Sequence, residues 1–206
     1  PALMPMWLST PARAWSAREL ANYGLGQPRA SAPGMLYRDS DAGYVLLGLA
    51  LERATQQPLS QVLRERVFSP AGLQATVLPE SGNIDTGGWL EGHHGLRGAD
   101  GVMDCAEPVR VTDMTARFGY GDSGVVTNIT DLGRYTQVLA ASQDGAEDPR
   151  FENPLALYNG APAWYTTTGG VTYAGSLAGQ QGWVPGYATA AFSDPESGLT
   201  VAVVLN

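Results

Sequence analysis

The chain has 206 residues, with twelve basic side chains against twenty acidic ones and a formal charge of −8, which excludes the positive footprint that a nucleic acid or an anionic membrane requires. Apolar residues make up 44%, enough for the core of one large domain or two intimate ones and too many for a disordered segment. The single cysteine, Cys105, excludes an internal disulfide and a multi-cysteine metal site, and the longest strongly apolar run, Tyr44 to Leu51, falls far short of the ~20 residues of a membrane span.

The first predicted element is the helix in WSARELANYG. Ser16 stands as its N-cap, Glu19 completes a capping box, and Trp15 with Leu20 forms the hydrophobic staple that sets the entry angle. Gly24 is the expected left-handed stop. Pro33-Gly34 marks a turn, and GYVLLGLALERATQQ, apolar on nearly every face, predicts a buried helix from Asp41 to Thr55. Pro58 suits a first helical turn. Leu59, Val62, Leu63 and Val67 follow at helical spacing until Pro70 and Gly72 end that helix. Residues 76–115 are rich in Gly, Asp and His without a period, and read as a long loop or short ribbons that are functional or cover something. Thr127 and Asn128 stand at a cap position before Ile129, Leu132, Tyr135, Val138 and Leu139, a helix of about fourteen residues. From Phe151 the pattern changes to short strands, ending in the hairpin of TATAAF, SDPESG and LTVAVVLN. The organisation is therefore mostly helical over 1–150, with the long loop at 76–115, and strands of an antiparallel sheet over 151–206. A hairpin alone is marginal in water, so these strands want more sheet than the chain supplies.

Several local patterns fail as sites. GDSG at 121–124, with His93 or His94 and Asp104 or Asp113 upstream, has the residue order of a chymotrypsin-like triad. Only about thirty residues separate histidine from serine, too few for the two barrels such a triad needs, so a glycine-rich turn feeding a helix is the reading. His93 and His94 are adjacent, so their side chains diverge and do not share a metal as an i, i+4 pair on a helix would. A metal site completed by Glu91, Asp100 and Asp104 is the minor alternative to solvated loop residues, and no metal is expected. Asp104 and Glu107 surround Cys105 with negative charge that blunts a thiolate nucleophile, and it reads as structural. All twelve basic residues are arginine. Without lysine the chain by itself supports neither Schiff-base chemistry nor a serine–lysine dyad. It opens on Pro-Ala-Leu-Met without a basic-then-apolar leader, and so reads as part of something longer or as a processed product.

The informative segments are PGMLYRDSDAGYVLLGLALERATQQPLSQVLRERVFSPAGL at 33–73 and AGQQGWVPGYATAAFSDPESGLTVAVVLN at 178–206. The first resembles the stretch Pro-Gly-x-x-Phe-x-Tyr-Ser-Asn-x-Gly-Tyr-x-Leu-Leu-Gly of the β-lactamase-related serine hydrolases. That family joins class C β-lactamases, D-alanyl-D-alanine carboxypeptidases, D-aminopeptidases and related esterases. The second resembles its Gly-His-x-Gly-x-x-Pro-Gly-Tyr strand and the hairpin after it. GDSGVVTNITDLGRYTQVLA resembles the family's Ala-Gly-Gly-x-x-Ser-Thr-x-x-Asp-Leu helix start, and WSAREL its Trp-Ser-x-Glu-Glu-Leu helix. Order and spacing agree along essentially the whole chain.

The resemblance implies an α/β (α+β) fold of the β-lactamase/transpeptidase type, an antiparallel sheet flanked by helices with an all-α subdomain, of which this chain holds the C-terminal part. It implies acyl transfer through an acyl-serine on a small-molecule or peptide substrate, with no cofactor and no metal, in a periplasmic or secreted protein. The family's Ser-x-x-Lys cannot lie in a lysine-free chain. It is expected upstream, on the same polypeptide or on a separate N-terminal fragment, and the chain alone is expected to be inactive. Aligning Pro33-Gly34 and Gly43-Tyr44 puts Asp39 at the tyrosine and Asp41 at the asparagine of the family's Tyr-x-Asn motif, with Tyr37 two residues upstream. The Lys-Thr-Gly or His-x-Gly motif reads Gln180-Gln181-Gly182, and the Trp183 N–H falls at the position of one oxyanion donor. Two carboxylates, and a neutral amide where a cation or imidazole stands, point away from anionic substrates. Neutral esters or amides remain, or no turnover at all, as in a pseudoenzyme that binds or regulates. Blander roles stay open: Asp39 or Asp41 as a helix cap, and Trp183 as cover for the sheet edge.

Overall fold

The computed structural model describes residues 10, 13–29, 32, 40–80, 87–97, 103–113, 119–142, 165–168 and 171–206. The first helix, α1 (Ala17–Leu25), starts on the expected capping box: Ser16 Oγ accepts the Glu19 N–H at 3.3 Å, and Glu19 Oε2 accepts the Ser16 N–H at 2.9 Å. Arg13 lies over the Trp15 ring, and Trp15 is buried with Leu20, Ala21 and Val45. Gly24 does not stop the helix. It is where α1 meets its neighbour, since a Cβ there would overlap that of Ala42, and the cap falls instead on Gly26 at an ordinary φ of −76°.

Helix α2 (Asp41–Thr55) has the predicted bounds, but not the predicted burial. Val45 and Gly48 are its buried residues, while Tyr44, Leu46, Leu47 and Leu51 are 46%, 40%, 54% and 37% exposed. The reason is that its described neighbours, α1, α3 (Leu59–Leu63) and α4 (Tyr120–Ser123), leave those side chains uncovered. The cap is also corrected: Ser40 Oγ accepts the Gly43 N–H at 3.1 Å, so Asp41 is the first helical residue rather than the N-cap. Asp39 and Tyr37 lie outside the described residues. The single helix expected to run to Pro70 is α3 followed by one π-helical turn, Arg64–Phe68.

The long stretch contains an antiparallel ribbon of β1 (His93–Arg97) and β2 (Met103–Arg110). Its base is anchored at the far end of the chain. Tyr187 Oη donates to the Leu90 carbonyl at 2.7 Å, and Asn206 Nδ2 donates to the Glu91 carbonyl at 2.8 Å. Val111 and Thr112 are buried there, and Thr112 Oγ1 accepts the Gly92 N–H at 2.9 Å. Cys105 is exposed on β2 as a free thiol.

Helix α5 (Ile129–Ser142) begins at Asn128, whose Oδ1 accepts the Asp131 N–H at 2.8 Å. The Asp131 carboxylate is buried and reaches back to an earlier loop, accepting the Ala75 N–H at 2.7 Å and the Thr76 hydroxyl at 2.9 Å. A single antiparallel bridge between Val77 and Val126 runs alongside. Strands β3 (Tyr165–Thr168), β4 (Val171–Ala174), β5 (Leu177–Val184), β6 (Tyr187–Ser193) and β7 (Thr200–Leu205) form one antiparallel sheet in that order. Helix α5 crosses one face of it, burying Ala140 against Val171 and Ala178.

Asp131→Ala leaves two donors without their acceptor and is expected to cost about 2–3 kcal/mol of unfolding free energy in urea titration, with Asp131→Asn milder. A loss within about 0.5 kcal/mol, the scale of an ordinary surface substitution, would remove this residue as the tie between loop and helix.

Candidate functional site

Two groups of motif residues are placed by different parts of the fold. The first surrounds the start of α2. A cavity of about 250 Å³ is lined by Leu20, Tyr23, Ser40, Asp41, Val45 and Asp122, so it lies between α1, the first turn of α2 and α4. Asp41 puts a carboxylate charge in the first turn of the capped helix. That charge disfavours a second one at Asp122: shelter of its carboxyl, and then the Asp41 charge, push the Asp122 pKa up to about 6, against a bond from Ser123 Oγ. Tyr120 stands at the head of α4, and burial followed by the Glu52 carboxylate raises its phenol above its ordinary value. It is a protonated phenol at neutral pH, unsuited to act as a base.

The second group lies on β5. Pairing with β4 covers Leu177, Ala178 and Gly179, whereas pairing with β6 continues to Val184. The outer half of β5 therefore has one edge that β4 does not cover. Val184 and Tyr187 close the two-residue Pro185-Gly186 turn, with φ of 86° at Gly186 as position three of a type II turn requires. Alternation from that closing pair directs the N–H groups of Gln181 and Trp183 away from β6, to the edge that β4 does not pair. Gln180 Oε1 accepts the Gln181 N–H at 2.9 Å and the Thr172 hydroxyl at 3.1 Å, so its amide is turned onto its own strand. Gly182 sits opposite Thr189, with no side chain between the strand and a ligand. The Trp183 ring, 60% exposed, meets His94 edge-on with centroids 6.1 Å apart.

The structure thus brings Gln180, Gly182 and Trp183 together on one strand, and Asp41 together with Asp122 at the start of α2. No hydrogen bond or ion pair among the described residues joins either carboxylate to β5. Sequence reasoning missed Asp122 as a partner of Asp41. The signal was there, since Asp122 stands where the family pattern Ala-Gly-Gly has alanine. A larger cleft of about 480 Å³, lined by Arg64, Phe68, Gln74 and Thr76 among others, holds none of the motif residues. Among the described residues no group of three or more His, Cys, Asp or Glu side chains is arranged to hold a metal ion, and no helix is long and apolar enough to cross a membrane.

An antiparallel sheet crossed by a helix, with a helical unit beside it, is the architecture of the β-lactamase/transpeptidase-like class, present here in part. The Beta-lactamase family model matches residues 2–206, and the chain belongs to that family. A D-aminopeptidase of Cereibacter sphaeroides is 25% identical over 182 residues, covering 84% of this chain and 33% of that protein. The D-stereospecific amidohydrolase from Streptomyces sp. superposes with a TM-score of 0.72 at 17% identity, over 98% of this chain and 59% of its own. The penicillin binding protein from Bacillus halodurans gives a TM-score of 0.67 at 19% identity, over 92% and 58%. The chain spans a third of the curated relative and under three-fifths of the two solved chains.

The raised Asp122 pKa carries a sign. Its proton is held more tightly in the folded state, so its stabilising effect is complete below the ordinary carboxyl pKa and is lost as pH rises through about 6. The thermal midpoint is expected to fall between pH 4 and pH 7, and Asp122→Asn to flatten that part of the profile. An unchanged slope in calorimetric scans of the variant would show that the pair is not coupled.

Proposed function

We propose that the complete protein cleaves amides or esters whose acyl part carries a free amino group, by acyl transfer through a serine that lies outside these 206 residues. In the first step the serine oxygen bonds to the substrate carbonyl carbon, the C–N or C–O bond breaks, and the leaving amine or alcohol takes the proton. Water then releases the acid and regenerates the serine. The observation that carries this reading is the outer half of β5, along which the pairing with β4 has ended. The Trp183 N–H points out of the strand and Gly182 adds no side chain, which is what a donor to a developing oxyanion needs. Family membership supplies the acyl-serine chemistry.

The amino-bearing substrate class follows from charge. With Asp41 in place of the family's asparagine and Asp122 beside it, an approaching ammonium is favoured and a carboxylate repelled. The names of the relatives, a D-aminopeptidase and a D-stereospecific amidohydrolase, support an amide of a D-amino acid. The competing reading, a pseudoenzyme that binds without turnover, is favoured by one observation: the Gln180 amide oxygen accepts from β5 and from Thr172 of β4, and the side chain offers no cation or imidazole to the site.

The test uses the complete protein with D-phenylalanine p-nitroanilide. Release of nitroaniline is expected, with an acyl-enzyme visible by intact mass and at least about tenfold loss of kcat/KM on N-acetylating the substrate, a difference of ~1.4 kcal/mol. Asp41→Asn should narrow that ratio. The 206-residue chain alone should give no turnover. A complete protein that neither acylates nor turns over any amide or ester would decide for the binding module.

A further inference from the structure

We infer that His94 is a positioning residue for the outer half of β5: its ring holds the Trp183 indole clear of the edge that β4 does not pair, and so keeps the Trp183 N–H open to a substrate. The inference rests on the reading above, in which this N–H is a donor to the developing oxyanion.

Trp183 has little to lean on within its own sheet. Its partner across β6 is Ala188, and the next pair on that face sets Gln181 against Ala190, equally small. On the other side the pairing with β4 has ended at Gly179, and Gly182 beside Trp183 carries no side chain. The indole is 60% exposed, so the sheet alone leaves it free to turn about χ1 and χ2 and to fall across the strand edge. There it would shut off the amide of its own residue. Among the described residues the ring that meets it is His94, with centroids 6.1 Å apart and planes inclined at 63°, an edge-on arrangement that aromatic pairs prefer.

His94 can hold that ring because its own backbone is fixed. The Val111 N–H donates to the Gly92 carbonyl at 2.8 Å, and the Gly92 N–H donates to Thr112 Oγ1 at 2.9 Å. Asn206 and Tyr187 donate to the Glu91 and Leu90 carbonyls just before. Two glycines make the fit possible: a Cβ on Gly92 would overlap the Tyr187 ring, and one on Gly186 would overlap Val111 Cγ2. The ribbon base and the Pro185-Gly186 turn are thus locked together, and His94 and Trp183 each follow closely from that joint. His94 pairs with Val109, and the ribbon register breaks directly after it, between His94 and Leu96. An irregularity of this kind bends a strand and re-aims its side chains. The neighbouring His93 points to the opposite face of the ribbon by alternation, so of the adjacent histidines His94 is the one that reaches the indole.

Kinetics and side-chain dynamics of the complete protein test this. His94→Ala should lower kcat for D-phenylalanine p-nitroanilide about tenfold with KM within about twofold, because an oxyanion donor acts in the transition state. His94→Phe keeps a ring against the indole and should restore most of the rate. Counting active sites by acyl-enzyme mass removes any loss of folded protein from the comparison. The heteronuclear NOE of the Trp183 indole N–H gives a readout without turnover: rigid in the wild type, mobile in His94→Ala and rigid again in His94→Phe. A mobile indole in the wild type would overturn the inference, as would an active enzyme whose kcat stays within about twofold on losing His94. The hydrolase reading fails separately: no acyl-enzyme, together with an indole that His94→Ala frees, sinks the catalysis and keeps the hold of His94 on Trp183.

Discussion

The relation between the helical unit and the sheet depends on where the Asp131 carboxylate sits. It is buried, it lies in the first turn of the helix that crosses the sheet, and both its described donors, Ala75 and Thr76, come from the loop that follows the π-helical turn. A carboxylate taken out of water is tolerated only where donors replace its hydration, so this loop and this helix are held in one geometry. The Asn128 cap fixes the helix start that aims the carboxylate, and the Val77–Val126 bridge runs beside it. Every later feature of the sheet inherits that placement, because α5 packs across β5, β6 and β7.

From that tie the two functional groups acquire their surroundings. α4 precedes the capped helix by a few residues and is brought against α2, which puts Asp122 within reach of the Asp41 charge. Beside the sheet the β1–β2 ribbon is pinned over the Pro185-Gly186 turn by Tyr187 and Asn206, and it lays His94 against Trp183. The ribbon braces the turn that sets the direction of the outer β5 amides, so a loop without sequence period serves to hold a strand end.

Large apolar side chains stand exposed on two elements, Leu46, Leu47 and Leu51 on α2 and Val201, Val203 and Leu205 on β7, more than isolated surface positions account for. The chain spans under three-fifths of each of two solved relatives.

Local chemistry was legible wherever a few neighbouring residues decide. Ser16 with Glu19, Asn128 before Ile129, and the Asp194–Gly198 turn specify their caps and hairpin through bonds that span three to five positions, and the family motifs are likewise read from short strings. Contacts between distant segments decided the rest. Gly24 looked like a helix stop and became a crossing point, because only the approach of Ala42 reveals what its missing side chain is for. The apolar run of α2 predicted burial, yet burial depends on having neighbours on every side, which the string cannot count. Asp122 and Asp41 are eighty-one positions apart in the chain. Their mutual electrostatics exist only once α4 is folded against α2, since charge acts through distance in space and not along the backbone.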